Sequence, residues 1–226
     1  MTDIPEEIPE CPVAPERCPV ADAYRRLKAE NKRLVALARI DELTGYYNFR
    51  HLQRALAAEM ERTRRTGLET GVIIADLDYF KHVNDTYGHE AGNMVLKSVS
   101  GIWMDGIRQM DIACRYGGEE FVFILPGTRL HAVVGAAERL RKKLADAVIR
   151  VGGHDIRLTA SFGVDGYRID DHALSIDGLL DRADQHLLKA KRQGRNRVCY
   201  DTARGQKAPT EVTEAERSSL FFKPDH

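Results

Sequence analysis

Two glycines, Gly117 and Gly118, run directly into two carboxylates, Glu119 and Glu120. The glycines allow a tight turn at low steric cost and let backbone approach a ligand closely. Behind them, Phe121-Val122-Phe123-Ile124-Leu125 reads as a buried strand. A further acid ends another apolar run, where Gly71-Val72-Ile73-Ile74-Ala75 leads into Asp76-Leu77-Asp78. Hard carboxylate oxygens at the ends of buried strands suit a divalent cation held against phosphates. Cations that could answer phosphate charge follow at Lys81 and in Lys191-Arg192-Gln193-Gly194-Arg195-Asn196. Taken singly, such acids solvate a hairpin and such cations cap a helix C-terminus.

The elements that must position these residues follow from periodicity. The spacing predicts helices over 49–66, 79–87, 92–106, 130–148 and 176–193, with Gly67, Gly88 and Gly194 as stops. Strands are predicted over 71–78, 111–116, 120–125, 156–164 and 197–200, with 111–116 and 120–125 flanking the Gly-Gly turn as a hairpin. Strands alternate with helices while the central hairpin is antiparallel, which predicts an α/β (α+β) fold with helices around a mixed sheet. Ahead of it, 20–40 reads as one charged helix, a short stalk. Tyr24, Leu27, Asn31, Leu34 and Ala38 alternate spacings of three and four, a heptad seam with a polar residue that favours pairing. An amphipathic helix packed on its own domain is the alternative.

The chain has 226 residues, 43% of them apolar, enough for one domain with a sizeable core. Lys+Arg and Asp+Glu balance at 34 each, which argues against bulk nucleic-acid binding. No apolar run is long enough to span a membrane, and the acidic start is no secretory signal, so the expected location is cytoplasmic. The domain plan is a Cys/Pro-containing segment at 1–19, a stalk at 20–40, a catalytic domain at 41–200 and a flexible tail at 201–226. Cys114 and Cys199 read as core residues. Cys11 and Cys18 read as exposed thiols on a disordered segment, with a redox, haem or metal input across a dimer as the alternative.

Together the motifs resemble the GGDEF-domain family of diguanylate cyclases, in a GGEEF form. Arg115-Tyr116-Gly117-Gly118-Glu119-Glu120-Phe121 resembles the family signature. Asp41-Glu42-Leu43-Thr44-Gly45, with Asn48 and Arg50, resembles its D-x-L-T-G opening, although Tyr46 replaces the usual Leu. The stretch from Asp76 to His89 matches nearly throughout, and Lys191 to Asn196 resembles the close of the domain. The resemblance covers roughly 41–200. It implies a palm-like sheet related to adenylyl cyclases, and condensation of two GTP into cyclic di-GMP with release of pyrophosphate.

The resemblance also implies residue roles. Asp76, the Leu77 carbonyl, Glu119 and Glu120 match positions holding Mg2+ or Mn2+, two ions per active site. Glu119, Glu120 and Lys81 are the candidate catalytic groups, Glu120 either touching a metal or assisting deprotonation. Strand alternation predicts that Glu119 and Glu120 point apart. Tyr79 and Phe80 would offer backbone amides to phosphates, Lys81, Lys191 and Arg195 their charge, Gly117 and Gly118 close approach, and Asn84 a guanine contact. Arg108 and Asp111 match an inhibitory product site that Arg139 completes from a second domain. Asp78 and His89 read as structural.

Asn93 departs from the family, which usually places Asp there. A carboxylate accepts from both guanine N1–H and N2–H, whereas an amide offers one acceptor and one donor. Cyclic di-GMP remains the first expectation, with a hybrid cyclic GMP-AMP product as the alternative. A two-fold product implies a homodimer. A non-catalytic cyclic di-GMP receptor is the rival class, opposed by the intact acids and glycines. The upstream regulator cannot be read from the residues.

Overall fold

A computed structural model describes residues 19–37 and 39–205. The segment with Cys11 and Cys18, Ala38, the side chains of Asn31 and Leu34, and the stretch after residue 205 lie outside the described residues. The chain separates into two units between Arg39 and Ile40. The first contains α1 (Pro19–Leu37), on which Leu27 is 71% exposed and Lys28 lies over the Tyr24 ring.

The second unit opens with β1 (Tyr47–Asn48) and α2 (Phe49–Thr66). The Asn48 side chain caps α2 by accepting from His51 N–H, and Gly67, at φ 74°, ends it. Next come β2 (Thr70–Leu77), α3 (Phe80–Tyr87), α4 (His89–Met104), and the hairpin β3 (Ile112–Gly117) and β4 (Glu120–Leu125). The chain continues through α5 (Leu130–Asp146), β5 (Ile149–Val151), β6 (His154–Ile156), β7 (Ala160–Tyr167), α6 (Ile176–Arg192), β8 (Val198–Cys199) and α7 (Thr202–Gly205).

Six strands form a mixed sheet in the order β1-β3-β4-β2-β7-β8, parallel at its two outer pairs and antiparallel between. β2 lies near the centre, and each of its eight residues is buried. Its side chains alternate between two cores. Ile73, Ala75 and Leu77 join residues of α3, α4 and α5, while Val72 and Ile74 join those of α2 and α6. This is the mixed α/β architecture expected from the sequence. No helix among the described residues is long and apolar enough to cross a membrane.

Packing ties the hairpin to the helical layer. Trp103 meets Phe121, Phe123 and Phe162 edge-on, with centroids 5.1, 5.7 and 5.8 Å away, and its indole N–H donates to the Leu140 carbonyl. Tyr46, in place of the family's Leu, joins this cluster and donates its hydroxyl hydrogen to the Ser100 carbonyl at 2.7 Å. On the opposite face Gly163 lets α6 approach β7 closely, because a Cβ there would overlap the backbone at Ala183 and Leu187.

The single strand expected over 156–164 is two elements. Gly152 and Gly153, both at positive φ, close the hairpin β5–β6, and the chain then breaks before β7. Thr159, in the break, falls opposite Asp78 in the register that β7 keeps with β2: its carbonyl accepts from Asp78 N–H and its hydroxyl donates to the Asp78 carboxylate. β7 runs on to Tyr167 because Asp165, which ends the apolar pattern, is buried against Arg182. Tyr79 is not the first helical residue of α3 but a left-handed N-cap at φ 58°. α7 occupies the start of the expected tail.

Candidate active site

β2 delivers Asp76 to its C-terminal end, where it registers with Glu120 of β4 on one side and Ser161 of β7 on the other. The turn between β3 and β4 carries Gly118 and Glu119, and Leu77 N–H donates to the Glu119 carbonyl at 3.3 Å. Glu119 lies in the turn rather than on the strand, so alternation does not isolate it from Glu120; both carboxyls feel Asp76. Burial, followed by the Asp76 charge, pushes Glu119 and Glu120 above their ordinary values. Burial also pushes Asp76 up, against the pull of Lys191, whose ammonium lies 2.8 Å from Asp76 Oδ2.

Three mutually repelling carboxyls with one ammonium among them form a site short of positive charge. Its donors are hard oxygens, to which the Leu77 carbonyl adds another, so the residues fit magnesium or manganese. Among the described residues no three His, Cys, Asp or Glu side chains converge so as to hold a metal ion by themselves. Magnesium takes one or two protein carboxylates and completes its shell with water and substrate phosphates.

Asp78 faces away from this role. Its carboxylate accepts from Ser161 and Thr159 hydroxyls at 2.7 Å each and from Asn196 N–H at 3.0 Å. That last bond pins the turn after α6 beside the start of α3. Arg195 and Asn196 in the turn, and Tyr79 opposite, are the non-glycine residues with positive φ among the described residues. The Arg195 guanidinium lies over the Tyr79 ring, 4.6 Å from its centroid. Phe80 is buried and Lys81 exposed on the first turn of α3.

Asn84 and Gly92 bring α3 and α4 together, since a Cβ on Gly92 would overlap the Asn84 amide. Asn93 is exposed in the first turn of α4. Away from the acids, Arg108, Gln109 and Met110 line an open depression. Asp111 Oδ2 accepts from Arg108 N–H at 2.8 Å, while Asp111 Oδ1 is buried with no hydrogen-bond partner. Arg139 Nε donates to the Gly106 carbonyl at 2.8 Å, which places it beside the same loop.

Two positioning arginines escaped the sequence reading. Arg115 donates to the Gly118 carbonyl at 2.7 and 3.2 Å and lies 3.3 Å from both Asp41 carboxylate oxygens, joining the Gly-Gly turn to the start of the domain. Arg141 of α5 donates to Asn196 Oδ1 at 3.0 Å. Arg115 adjoins the signature, so its place there was a usable signal; nothing local marks Arg141.

The family described as "Diguanylate cyclase, GGDEF domain" matches residues 38–197. Diguanylate cyclase DgcP of Pseudomonas aeruginosa is 38% identical over 169 residues, covering 75% of this chain but 24% of DgcP. The chain thus spans about a quarter of that relative's length. The crystal structure of diguanylate cyclase SiaD in complex with its activator SiaC, also from Pseudomonas aeruginosa, is similar with a TM-score of 0.69 at 36% identity, covering 80% of this chain and 69% of that one. The GGDEF domain of DgcB from Caulobacter crescentus, solved in complex with c-di-GMP, gives 0.68 at 29% identity, covering 72% and 95%. The match over 38–197 and the shared mixed sheet agree with the geometry at Asp76, Gly117, Gly118 and Glu120, and this chain belongs to the GGDEF domain family.

Proposed function

We propose that this chain is a diguanylate cyclase of the GGEEF form, condensing two GTP into cyclic di-GMP and two pyrophosphates. The observation that carries the reading is the register of Asp76 with Glu120 across β2 and β4, beside the Gly-Gly turn and with Lys191 on Asp76. Asp76, the Leu77 carbonyl, Glu119 and Glu120 are the groups that would hold two Mg2+ or Mn2+ ions. Such ions neutralise triphosphate charge and acidify a 3′-hydroxyl.

The chain's own residues supply the remainder. Backbone at Tyr79 and Phe80, at the start of α3, receives phosphates with Lys81, Lys191 and Arg195 adding charge. Gly117 and Gly118 admit the nucleotide close to backbone. Asn84 and Asn93 read the base from α3 and α4. Each 3′-oxygen attacks the α-phosphorus of the opposite nucleotide, so two domains must face each other and a homodimer is the working unit. The stalk at 20–40 promotes that encounter, and the catalytic domain comprises 41–200. Arg108 and Asp111, with Arg139 of a second domain, form an inhibitory site for the product. The open depression lined by the exposed Arg108 with Gln109 and Met110 supports this.

A second reading rests on Asn93: an amide complements the N1/N6 edge of adenine, so the enzyme would also make hybrid cyclic GMP-AMP. Magnesium and GTP supplied to dinucleotide-free protein test the main reading by mass spectrometry. Cyclic di-GMP should form, with a rate per chain that climbs with protein concentration. Tight binding of cyclic di-GMP with no turnover under any metal condition would instead make the chain a receptor.

A further inference from the structure

Among the described residues, the three non-glycine residues at positive φ, Tyr79, Arg195 and Asn196, converge on one point although they come from two turns far apart in sequence. For bulky residues the left-handed region is sterically costly, and it persists where surroundings enforce it. The enforcement is visible on one side. Asn196 is held by Asp78 and by Arg141, and Arg195 N–H donates to the Ala190 carbonyl at 3.0 Å. On the other side Tyr79 is 68% exposed, so core burial does not explain its conformation. What its ring does touch is the Arg195 guanidinium, 4.6 Å away, with Nη1 3.3 Å from the phenol oxygen.

We propose that the Tyr79 side chain is a positioning residue for Arg195, holding the guanidinium by its face so that its edge is aimed at the nucleotide's phosphates. This rests on the nucleotide-binding reading above and adds a role for the ring, distinct from the Tyr79 backbone. A guanidinium is planar: one face stacks on an aromatic ring while the N–H groups along its edge remain free for bidentate phosphate contact. The contact therefore removes rotamer freedom from Arg195 at the expense of one donor, Nη1, which donates to the Tyr79 hydroxyl at 3.3 Å, and leaves the other guanidinium N–H groups for a phosphate. A lysine could not divide its face from its edge in this way. The left-handed φ of Tyr79 is what turns the ring back toward the turn after α6.

The test is a double-mutant cycle read by calorimetric binding of a non-hydrolysable GTP analogue with magnesium. Tyr79→Asn removes the ring while keeping a residue that tolerates the left-handed region. It should weaken binding about fivefold, the range of an exposed cation–π contact. Tyr79→Phe keeps the stacking face and should bind within about twofold of the unsubstituted protein. In an Arg195→Ala background Tyr79→Asn should cause no further loss, and Arg195→Lys should not restore affinity. An equal loss from Tyr79→Asn with and without Arg195 would overturn the proposal, since the ring would then act on the nucleotide or the fold directly. Unchanged binding by Tyr79→Asn would overturn it while leaving nucleotide binding intact. Failure of the unsubstituted protein to bind the analogue would overturn the nucleotide reading itself, and this inference with it.

Discussion

Lys191 Nζ rests 2.8 Å from Asp76 Oδ2, so the carboxylate at the end of β2 is answered by a cation that the triphosphate also needs. On the proposed reading, Asp76 would hold a cation and Lys191 a phosphate, and each would then be freed from the other's charge. Asp76→Asn should lower product formation at least about 100-fold, because charge stabilisation in phosphoryl transfer depends on that carboxylate. Product quantified at saturating GTP and magnesium checks this, and near-normal turnover would remove Asp76 from the metal site.

The same cluster sets a pH dependence. Asp76, Glu119 and Glu120 are all pushed above their ordinary values of 3.8 and 4.5. For an acid raised on folding, the native state binds the extra proton, so the destabilisation is absent below the ordinary value and grows as pH rises through the raised one. Metal removes that repulsion but must displace protons to bind. The rise in melting temperature on adding magnesium to chelator-treated protein should thus grow from the acid side toward neutrality and then level off. A magnesium increment independent of pH across that window would contradict the cluster.

The acids and glycines of the hairpin were legible because they are local: Gly117 to Leu125 encodes its own turn and strand. The register of Asp76 with Glu120 follows once β2 and β4 are known to pair, but no spacing in the chain says that they do. The contacts that orient the site are longer in range. Arg115 reaches Asp41 across 74 positions and Arg141 reaches Asn196 across 55, choices made by how the sheet and helices assemble. The tie between Thr159 and Asp78 was hidden for the same reason, since it reaches across 81 positions. The left-handed Tyr79 gave no signal because tyrosine carries no preference for that region.

Product inhibition should depend on Arg108. Its N–H already orders Asp111 through Oδ2, and its side chain is exposed at the depression it lines with Gln109 and Met110. Hydrogen bonds to charged groups contribute about 1.5–3 kcal/mol, which is about 10- to 150-fold in affinity. Arg108→Ala should raise the half-inhibitory concentration of cyclic di-GMP by that factor, measured as initial rate against added product. An unchanged inhibition curve would move the inhibitory site elsewhere.

Gly163 offers a test of the fold beneath the site. A Cβ there would overlap the α6 backbone at Ala183 and Leu187, and backbone cannot swing aside as a side-chain tip can. Gly163→Ala should cost about 2 kcal/mol or more. For a domain of this size that lowers the melting temperature by about 4–8 °C. Because α6 also carries Lys191, residual activity should fall with the displacement of the helix. A melting temperature within a degree of the unsubstituted protein would mean that α6 and β7 are not so closely packed in solution.

On the proposed reading, Asn93 sets which nucleotides are joined. It lies exposed in the first turn of α4, one residue after the Gly92 that seats the Asn84 amide. An amide at this position can accept from guanine N1–H while donating to O6, but it cannot accept from N1–H and N2–H together as a carboxylate does. Toward adenine the same group donates to N1 and accepts from N6–H, so both bases leave it partly or wholly satisfied. A well-formed bidentate pair discriminates by about 1–3 kcal/mol, or about 5- to 150-fold. With equal GTP and ATP, the unsubstituted protein should yield cyclic di-GMP with a measurable share of hybrid cyclic GMP-AMP. Asn93→Asp should suppress the hybrid by about that factor, since a carboxylate repels adenine N1 and accepts from both guanine donors. A product ratio identical in the two proteins would show that base choice is made by Asn84 and water, with position 93 outside the contact.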